Sequence, residues 1–440
     1  MASTTSQATT TGDPTKGRWG LVAAAMLVQL STGAVYAWSV FSKALQDPDS
    51  TFALSKTEAA IPFSVTIGVI FLGTYLGGRI QDRKGPRVVA LVGGVLYSLG
   101  ILLTSLAGGR EDYWMLIAFY GVMSGFGLGL AYIVPIAMLQ KWFPDKRGLI
   151  VGLAVGGFGF GALITSPVAR ILINQTPTVP TKAFLPLGLA YLVATVAGAA
   201  FFRNPPAGYA VPGYAPAANA KTAVGRDYSQ GEALRTPQWY LLTAILTLNV
   251  TAGIALIAVA AAAATEIAGY SALAAASVVG VWAIFNGAGR IFWGATSDKI
   301  GRMPAFLAML GIQGACFLLL PHTQNKALFF VLGALIYLCY GGGFGTMPAT
   351  AGDFFGLKNA GAIYGAMIVG WSIGGVFGPM IAARLAEGGN YTRAFTTIAI
   401  IAFAAMVLPF ITKRPSAPTL AGADPNVVDV RGQGADMPRR

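Results

Sequence analysis

The chain has 440 residues, of which 55% are hydrophobic and only 11% charged, with a mean hydropathy of +0.63. Soluble domains carry about 25% charged residues, so this chain lacks the polar groups to cover a water-facing surface; a soluble enzyme and a nucleic-acid-binding module are both excluded. The net charge of +13 reads instead as Lys and Arg holding loops on the inner side of a membrane.

Residues 1–16 (MASTTSQATTTGDPTK) are polar and Thr-rich. No short apolar core ending in a small-residue cleavage site follows, so a signal peptide is not expected. A spanning helix needs about 20 mostly apolar residues, and about 12 such runs follow. The first six lie near 18–42, 57–79, 86–106, 113–140, 147–171 and 183–202. The last six lie near 238–264, 271–296, 303–320, 327–350, 358–386 and 391–412. Ser55-Lys56-Thr57-Glu58 predicts a capping box at the second run. Pro86, Pro237 and Pro304 stand where helices begin. Trp19, Trp114, Trp142 and Trp239 lie at run ends, where an aromatic belt is expected.

Between the two sets of six runs, residues 203–236 are rich in Pro, Ala and Gly and carry Arg203, Lys221, Arg226 and Arg235. The expected organisation is a tail (1–16), a six-helix half (17–202), a cytoplasmic linker (203–236), a second six-helix half (237–413) and a tail (414–440). The fold class is therefore an all-α membrane protein with 12 transmembrane helices in two halves. The loop after the second run holds Arg79, Arg83, Lys84 and Arg87; Lys141, Lys146 and Arg147 follow the fourth, and Lys299 and Arg302 follow the eighth. The opposite loops are balanced, as in Arg110-Glu111-Asp112. Both termini and the linker are thus expected in the cytoplasm, with the chain multi-pass in an inner membrane. Lys413, Arg414, Arg439 and Arg440 agree.

Cys316 and Cys339 lie in apolar runs and suit neither a disulfide nor a metal site. The lone histidine, His322, falls in a polar loop and reads as solvated. The spans hold no nucleophile–base pair, metal cluster or phosphate loop, so no metal or cofactor is expected.

An internal repeat is visible. Gly78-Arg-Ile-Gln-Asp82-Arg83-Lys84-Gly85 follows the second run, and Gly294-Ala-Thr-Ser-Asp298-Lys299-Ile-Gly301-Arg302 follows the eighth. Each places Asp four residues after one Gly and three before another, at the same point of its half. This pattern resembles the loop motif of the major facilitator superfamily, and the resemblance covers essentially the whole chain. It implies alternating access, with the halves rocking about a midplane site. The Asp can accept from helix N-terminal amides and pair with Arg or Lys across the halves. Asp82, Arg83, Asp298, Lys299 and Arg302 are the expected conformational latch.

Tyr36-Ala-Trp38-Ser-Val-Phe41 closes the first run. Trp142-Phe-Pro-Asp145-Lys146-Arg147-Gly148-Leu149 opens the fifth, followed by Gly152, Gly156, Gly157, Gly159 and Gly161. The eighth carries Phe285-Asn286-Gly287-Ala-Gly289-Arg290-Ile-Phe-Trp293-Gly294. These stretches resemble the monocarboxylate transporter family and its bacterial oxalate/formate-exchanger relatives, with a bacterial lactate transporter the expected type.

Arg290 is the leading candidate for substrate binding. It precedes Asp298 by eight residues, about 12 Å at ~1.5 Å rise per residue, which is near the midplane if Asp298 marks the membrane edge. A charge there costs at least ~2.5–3.5 kcal/mol and usually lines a pathway. Its planar fork matches a carboxylate, and Asn286 lies one turn earlier on the same face, with Trp282 a turn before that. Other deep candidates are Tyr36, Trp38, Tyr132, Asn249, Tyr340 and Trp371; the resemblance implies that Tyr36, Trp38, Tyr132 and Tyr340 line the central cavity. The glycines of the fifth run read as close helix packing.

Two departures from the relatives stand out. The oxalate exchangers carry a lysine where Trp371 stands, so one cation here suits a monoanion such as lactate or pyruvate. Animal members have an aspartate where Asn286 stands and a lysine within the first helix. Here Lys16 and Lys43 flank that run, and the usual proton relay is incomplete. Glu266 and Asp353 are the nearest acids, both peripheral. The expected partners are a small monocarboxylate anion, a proton and the bilayer, with no nucleic acid, and the expected assembly is a monomer. Carboxylate exchange is the alternative reading.

Overall fold

The structure is a computed structural model, and it describes residues 17–213, 227–386 and 390–415. Lys16 and the rest of the N-terminal tail, Lys221 and Arg226 in the linker, and Arg439 and Arg440 lie outside the described residues.

Glycine and proline set where the helices begin. The first span, α1 (Arg18–Leu45), runs through a tight 3-10 turn at Gly33–Ala37. Ser55 caps α2 (Lys56–Lys84): its Oγ accepts from the Glu58 amide at 3.2 Å while the Glu58 carboxylate accepts from the Ser55 amide at 2.8 Å. Gly85, at φ +88°, turns the chain directly into Pro86, the first residue of α3 (Pro86–Thr104). The same turn recurs where α8 (Ala272–Ile300) meets α9 (Arg302–His322), with Gly301 at φ +95°. Only glycine takes that conformation without strain, which is why the repeat keeps a glycine three residues after each aspartate.

The remaining spans are α4 (Arg110–Trp142), α5 (Arg147–Gln175), α6 (Pro180–Ala200), α7 (Pro237–Ala268), α10 (Lys326–Phe355), α11 and α12 (Tyr391–Ile411). The eleventh span is split into Ala360–Met367 and Val369–Leu385. Among the described residues eleven helices are long and apolar enough to cross a membrane. The twelfth, α8, is as long but carries Asn286 and Arg290 near its middle. The chain has the all-helical fold of about 12 membrane spans. In α4 the residues Leu116–Ser124 are π-helical, and the Tyr120 carbonyl accepts from Thr66 at 3.1 Å and from Ser124.

The helices meet through glycine. Gly148 and Gly294 bring α5 and α8 into backbone contact, and a Cβ on either would strike the other's carbonyl. Gly152 of α5 lies against the Arg290 backbone, and Gly78 of α2 against Gly361 of α11. Small residues allow this approach in lipid. The Gly148–Gly294 and Gly78–Gly361 contacts lie at the end of the bundle where the linker attaches, here called the linker end.

Two tryptophans depart from the expected belt. Trp19 and Trp114 are exposed, but Trp142 and Trp239 are buried. The indole N–H of Trp142 donates to Arg203 at 2.7 Å, and Tyr209 donates to the Trp142 carbonyl at 2.9 Å. Trp239 donates to Ile363 at 3.4 Å. The start of the linker thus covers Trp142, while Trp239 is buried against α11. The linker's start docks on the α4–α5 turn, and its last residues dock on the α10–α11 turn. There Tyr228 donates to Phe355, Asn359 to Tyr228, and the Gln230 side chain to Ala362 at 2.6 Å.

Candidate functional site

Arg290 sits on α8 where Gly289 packs on the Leu338 backbone of α10 and Gly152 packs on Arg290's own carbonyl. Its side chain therefore enters the interface between the first six spans and the last six. It is 1% exposed. Nε donates to Asn286 Oδ1 at 3.4 Å and one terminal nitrogen, Nη1, to the Val155 carbonyl at 3.2 Å. The other, Nη2, is buried with no partner. Among the described residues no carboxylate lies within ion-pair distance.

Aromatic rings wall the guanidinium. Its carbon stands 4.9 Å from the Phe344 ring centre and 5.7 Å from that of Phe158, a cation–π arrangement. Trp371 is the hub, with ring centres 5.1 Å from Phe344, 6.1 Å from Phe158, 6.2 Å from Tyr132 and 6.4 Å from Tyr36. Tyr340 packs on Phe344 at 5.5 Å, in the space left by Gly253 of α7. Tyr36, Tyr132, Tyr340 and Tyr364 lie within electrostatic reach of Arg290. The hydroxyls of Tyr36, Tyr132 and Tyr364 are buried without hydrogen-bond partners. A lone buried cation is costly unless paired. The arrangement offers one charge-assisted donor and several hydroxyls to an anion, inside a buried aromatic box.

The structure thus brings together Arg290, Asn286, Tyr36, Tyr132, Tyr340 and Trp371. It does not bring Trp38 there. That indole donates to the Ala59 carbonyl at 2.8 Å and stacks on Tyr120 at 4.2 Å, beside rings lining a separate small cavity within α1 and α3–α6. Helix geometry gives the reason: residues two apart point about 200° from one another around the axis, so Tyr36 and Trp38 face different helices. Asn249 donates to the Cys339 carbonyl at 3.4 Å, and Trp282 donates to Phe330 at 2.8 Å, within a cluster of rings on α10. Sequence reasoning missed Phe158, Phe344 and Tyr364. Their one signal was adjacency to close-packing glycines (Gly157 and Gly159, Gly343 and Gly345, Gly365).

At the linker end two aspartates clasp the facing helices. Asp298 accepts from the Gly148 and Leu149 amides at 3.0 Å each and pairs with Arg302 at 2.8 Å. Asp82 accepts from the Ala362 amide at 2.8 Å and pairs with Lys141 at 3.2 Å. Each carboxylate meets the positive end of a helix. Asp353 joins Arg147 at 2.7 Å to Arg302 at 2.8 Å, so it serves this cluster rather than Arg290. Glu266 accepts from Tyr391 at 3.1 Å, at the opposite end. Arg83 and Lys299 are exposed, and among the described residues neither has an ion-pair partner.

A sequence profile of the Major Facilitator Superfamily matches residues 21–369 and 243–431. The chain is 28% identical to the oxalate:formate antiporter of Oxalobacter formigenes, over 91% of this chain and 93% of that one. It is 26% identical to monocarboxylate transporter 13 of Rattus norvegicus, over 87% of this chain and 86% of that one. Its fold matches that of the transporter FucP, solved in an outward conformation, with a TM-score of 0.69 at 16% identity, over 91% of this chain and all of that one.

Proposed function

The chain belongs to the Major Facilitator Superfamily and is a transporter rather than an enzyme, and we propose that it carries small monocarboxylates such as L-lactate or pyruvate by alternating access. The observation that carries this reading is Arg290: a buried cation with one nitrogen unpartnered, walled by aromatics, without a carboxylate partner among the described residues. A monocarboxylate supplies the single missing charge. Empty, the site holds a bare cation whose occlusion is costly. Loaded, it is neutral, and the halves can turn. Arg290, Asn286, Tyr36, Tyr132, Tyr340 and Trp371 are the proposed binding set, while Trp38 acts through packing on α4 and α6. Asp82, Asp298 and Arg302 are the proposed latch that holds the linker end shut. Arg83 and Lys299 set topology by charge.

The proposed setting is a bacterial inner membrane, with both termini and linker 203–236 cytoplasmic, joining halves 17–202 and 237–413 in a monomer. A proton is the proposed co-substrate, entering with the anion. Carboxylate exchange shares every feature of the site. Uptake of radiolabelled L-lactate into proteoliposomes separates the two. Accumulation driven by an inward proton gradient supports symport. Flux only against preloaded carboxylate moves the reading to exchange. Flux in neither condition refutes both.

A further inference from the structure

Tyr364 belongs to no motif that the sequence reading used, yet it stands between the site and the clasp. It lies two residues after Ala362, whose amide Asp82 holds, and seven before Trp371. At ~1.5 Å per residue those seven carry Trp371 about 10 Å further from the linker end. Tyr364 is 1% exposed, and its hydroxyl is buried without a partner. Tyr132 of α4 is 0% exposed, and its hydroxyl is also unpartnered. The two hydroxyls are neighbours, and both feel the charge of Arg290.

The helix winds more tightly at one residue, Ile368, between Tyr364 and Trp371. Its first segment ends at Met367, and the Trp371 amide reaches back only three residues, to Ile368, at 2.9 Å. The linker-side piece of α11, which carries Tyr364 and the Asp82 clasp, can therefore shift against the piece that carries Trp371. Hinge positions of this kind absorb the backbone change of a switching transition.

We propose that Tyr364, with Tyr132, is the linker-side port of the Arg290 site, a pair of hydroxyl donors that takes the carboxylate from the guanidinium as the anion leaves toward the linker end. This rests on the monocarboxylate reading above. Two buried phenol donors that meet no acceptor beyond one another suit a carboxylate, which accepts only. The transfer moves the anion from a charged to a neutral donor set, so it weakens binding on the way out, as release requires. Opening the Asp82–Ala362 clasp moves Tyr364 with its helix piece and uncovers the port.

The test uses the full chain in proteoliposomes, with equilibrium L-lactate binding and steady-state L-lactate exchange measured on wild type, Y364F, Y364L and Y132F. Loss of a hydrogen bond to a charged group is worth roughly tenfold or more. Y364F is expected to bind L-lactate within about twofold of wild type and to exchange about tenfold more slowly, a fall in kcat with KM nearly constant. A thermal unfolding midpoint equal to wild type shows that the variant is folded; should Y364F be unstable, Y364L carries the same expectation, whereas Y132F, at a residue of the binding set, is expected to lose affinity as well. Wild-type exchange in the folded variant overturns the port. Wild-type protein that binds no L-lactate overturns the monocarboxylate reading itself, and the port with it.

Discussion

Thr74 stands in the first six spans where Arg290 stands in the last six. Each precedes its motif glycine (Gly78, Gly294) by four residues and its aspartate by eight. The Thr74 carbonyl packs on Gly365 of α11, and the Arg290 carbonyl on Gly152 of α5. The backbone register is thus repeated, but the cation is not. Thr74 Oγ1 donates to the Gly365 carbonyl at 2.9 Å, a purely structural bond. Thr74→Val should therefore cost about 1 kcal/mol of stability and leave L-lactate affinity unchanged. Thermal unfolding and equilibrium binding on the same sample check both halves of that expectation.

The two clasps are unequal. Asp298 holds two amides and an arginine, whereas Asp82 holds one amide and a lysine. Asp298→Asn removes the charge that favours both the helix end and Arg302. It should shift the carrier toward the state open at the linker end by roughly tenfold or more, the scale of typical conformational coupling. Asp82→Asn should shift it the same way by less. A pair of probes on the facing halves at that end reads the separation. Equal, unshifted distances in both variants would remove the clasps from the mechanism.

Close approach of α5 to α8 needs the absence of a side chain. A Cβ at Gly294 would collide with the Gly148 carbonyl, whereas one at Gly280, on the same helix, meets nothing within 4 Å. Gly294→Ala should prevent closure at the linker end and abolish most transport. Gly280→Ala should transport normally and gain a few tenths of a kcal/mol or more from helix propensity. Uptake assays on the pair check this directly.

Trp371 fixes how much charge the box accepts. It is 1% exposed and touches the rings of Phe344, Phe158, Tyr132 and Tyr36. Trp371→Lys places a second cation beside Arg290 and opens space. The expected result is weaker L-lactate binding, by roughly tenfold from lost ring packing, and measurable oxalate binding where wild type shows little. Unchanged preference between the two anions would mean that charge count does not set selectivity here.

Much of the fold was legible because its signals are local. Apolar run length gave the spans, Ser55 and Glu58 gave a helix start, and the recurrence of Gly85 and Gly301 gave the turns. Arg290 was legible because a cation inside an apolar run has few harmless explanations. What failed was non-local. Trp142 and Trp239 look like belt residues until the linker is seen to fold over the first and α11 to meet the second. Trp38 follows Tyr36 by two residues, a spacing that puts the two on different helix faces, and which face meets Arg290 is set by helices far away in sequence. Phe158, Phe344 and Tyr364 are three among many aromatics, and their role comes from which helices glycine lets together.

The most direct measurement is equilibrium binding of L-lactate to the purified wild-type protein, Arg290→Lys and Arg290→Ala, each checked for wild-type thermal stability. Truncating one partner of a buried charge pair costs about 2–5 kcal/mol. The expected result is saturable wild-type binding, a loss of about 100-fold in Arg290→Ala, and partial retention in Arg290→Lys, which keeps the charge but not the planar fork. Wild-type affinity in folded Arg290→Ala would contradict the assignment of the anion site.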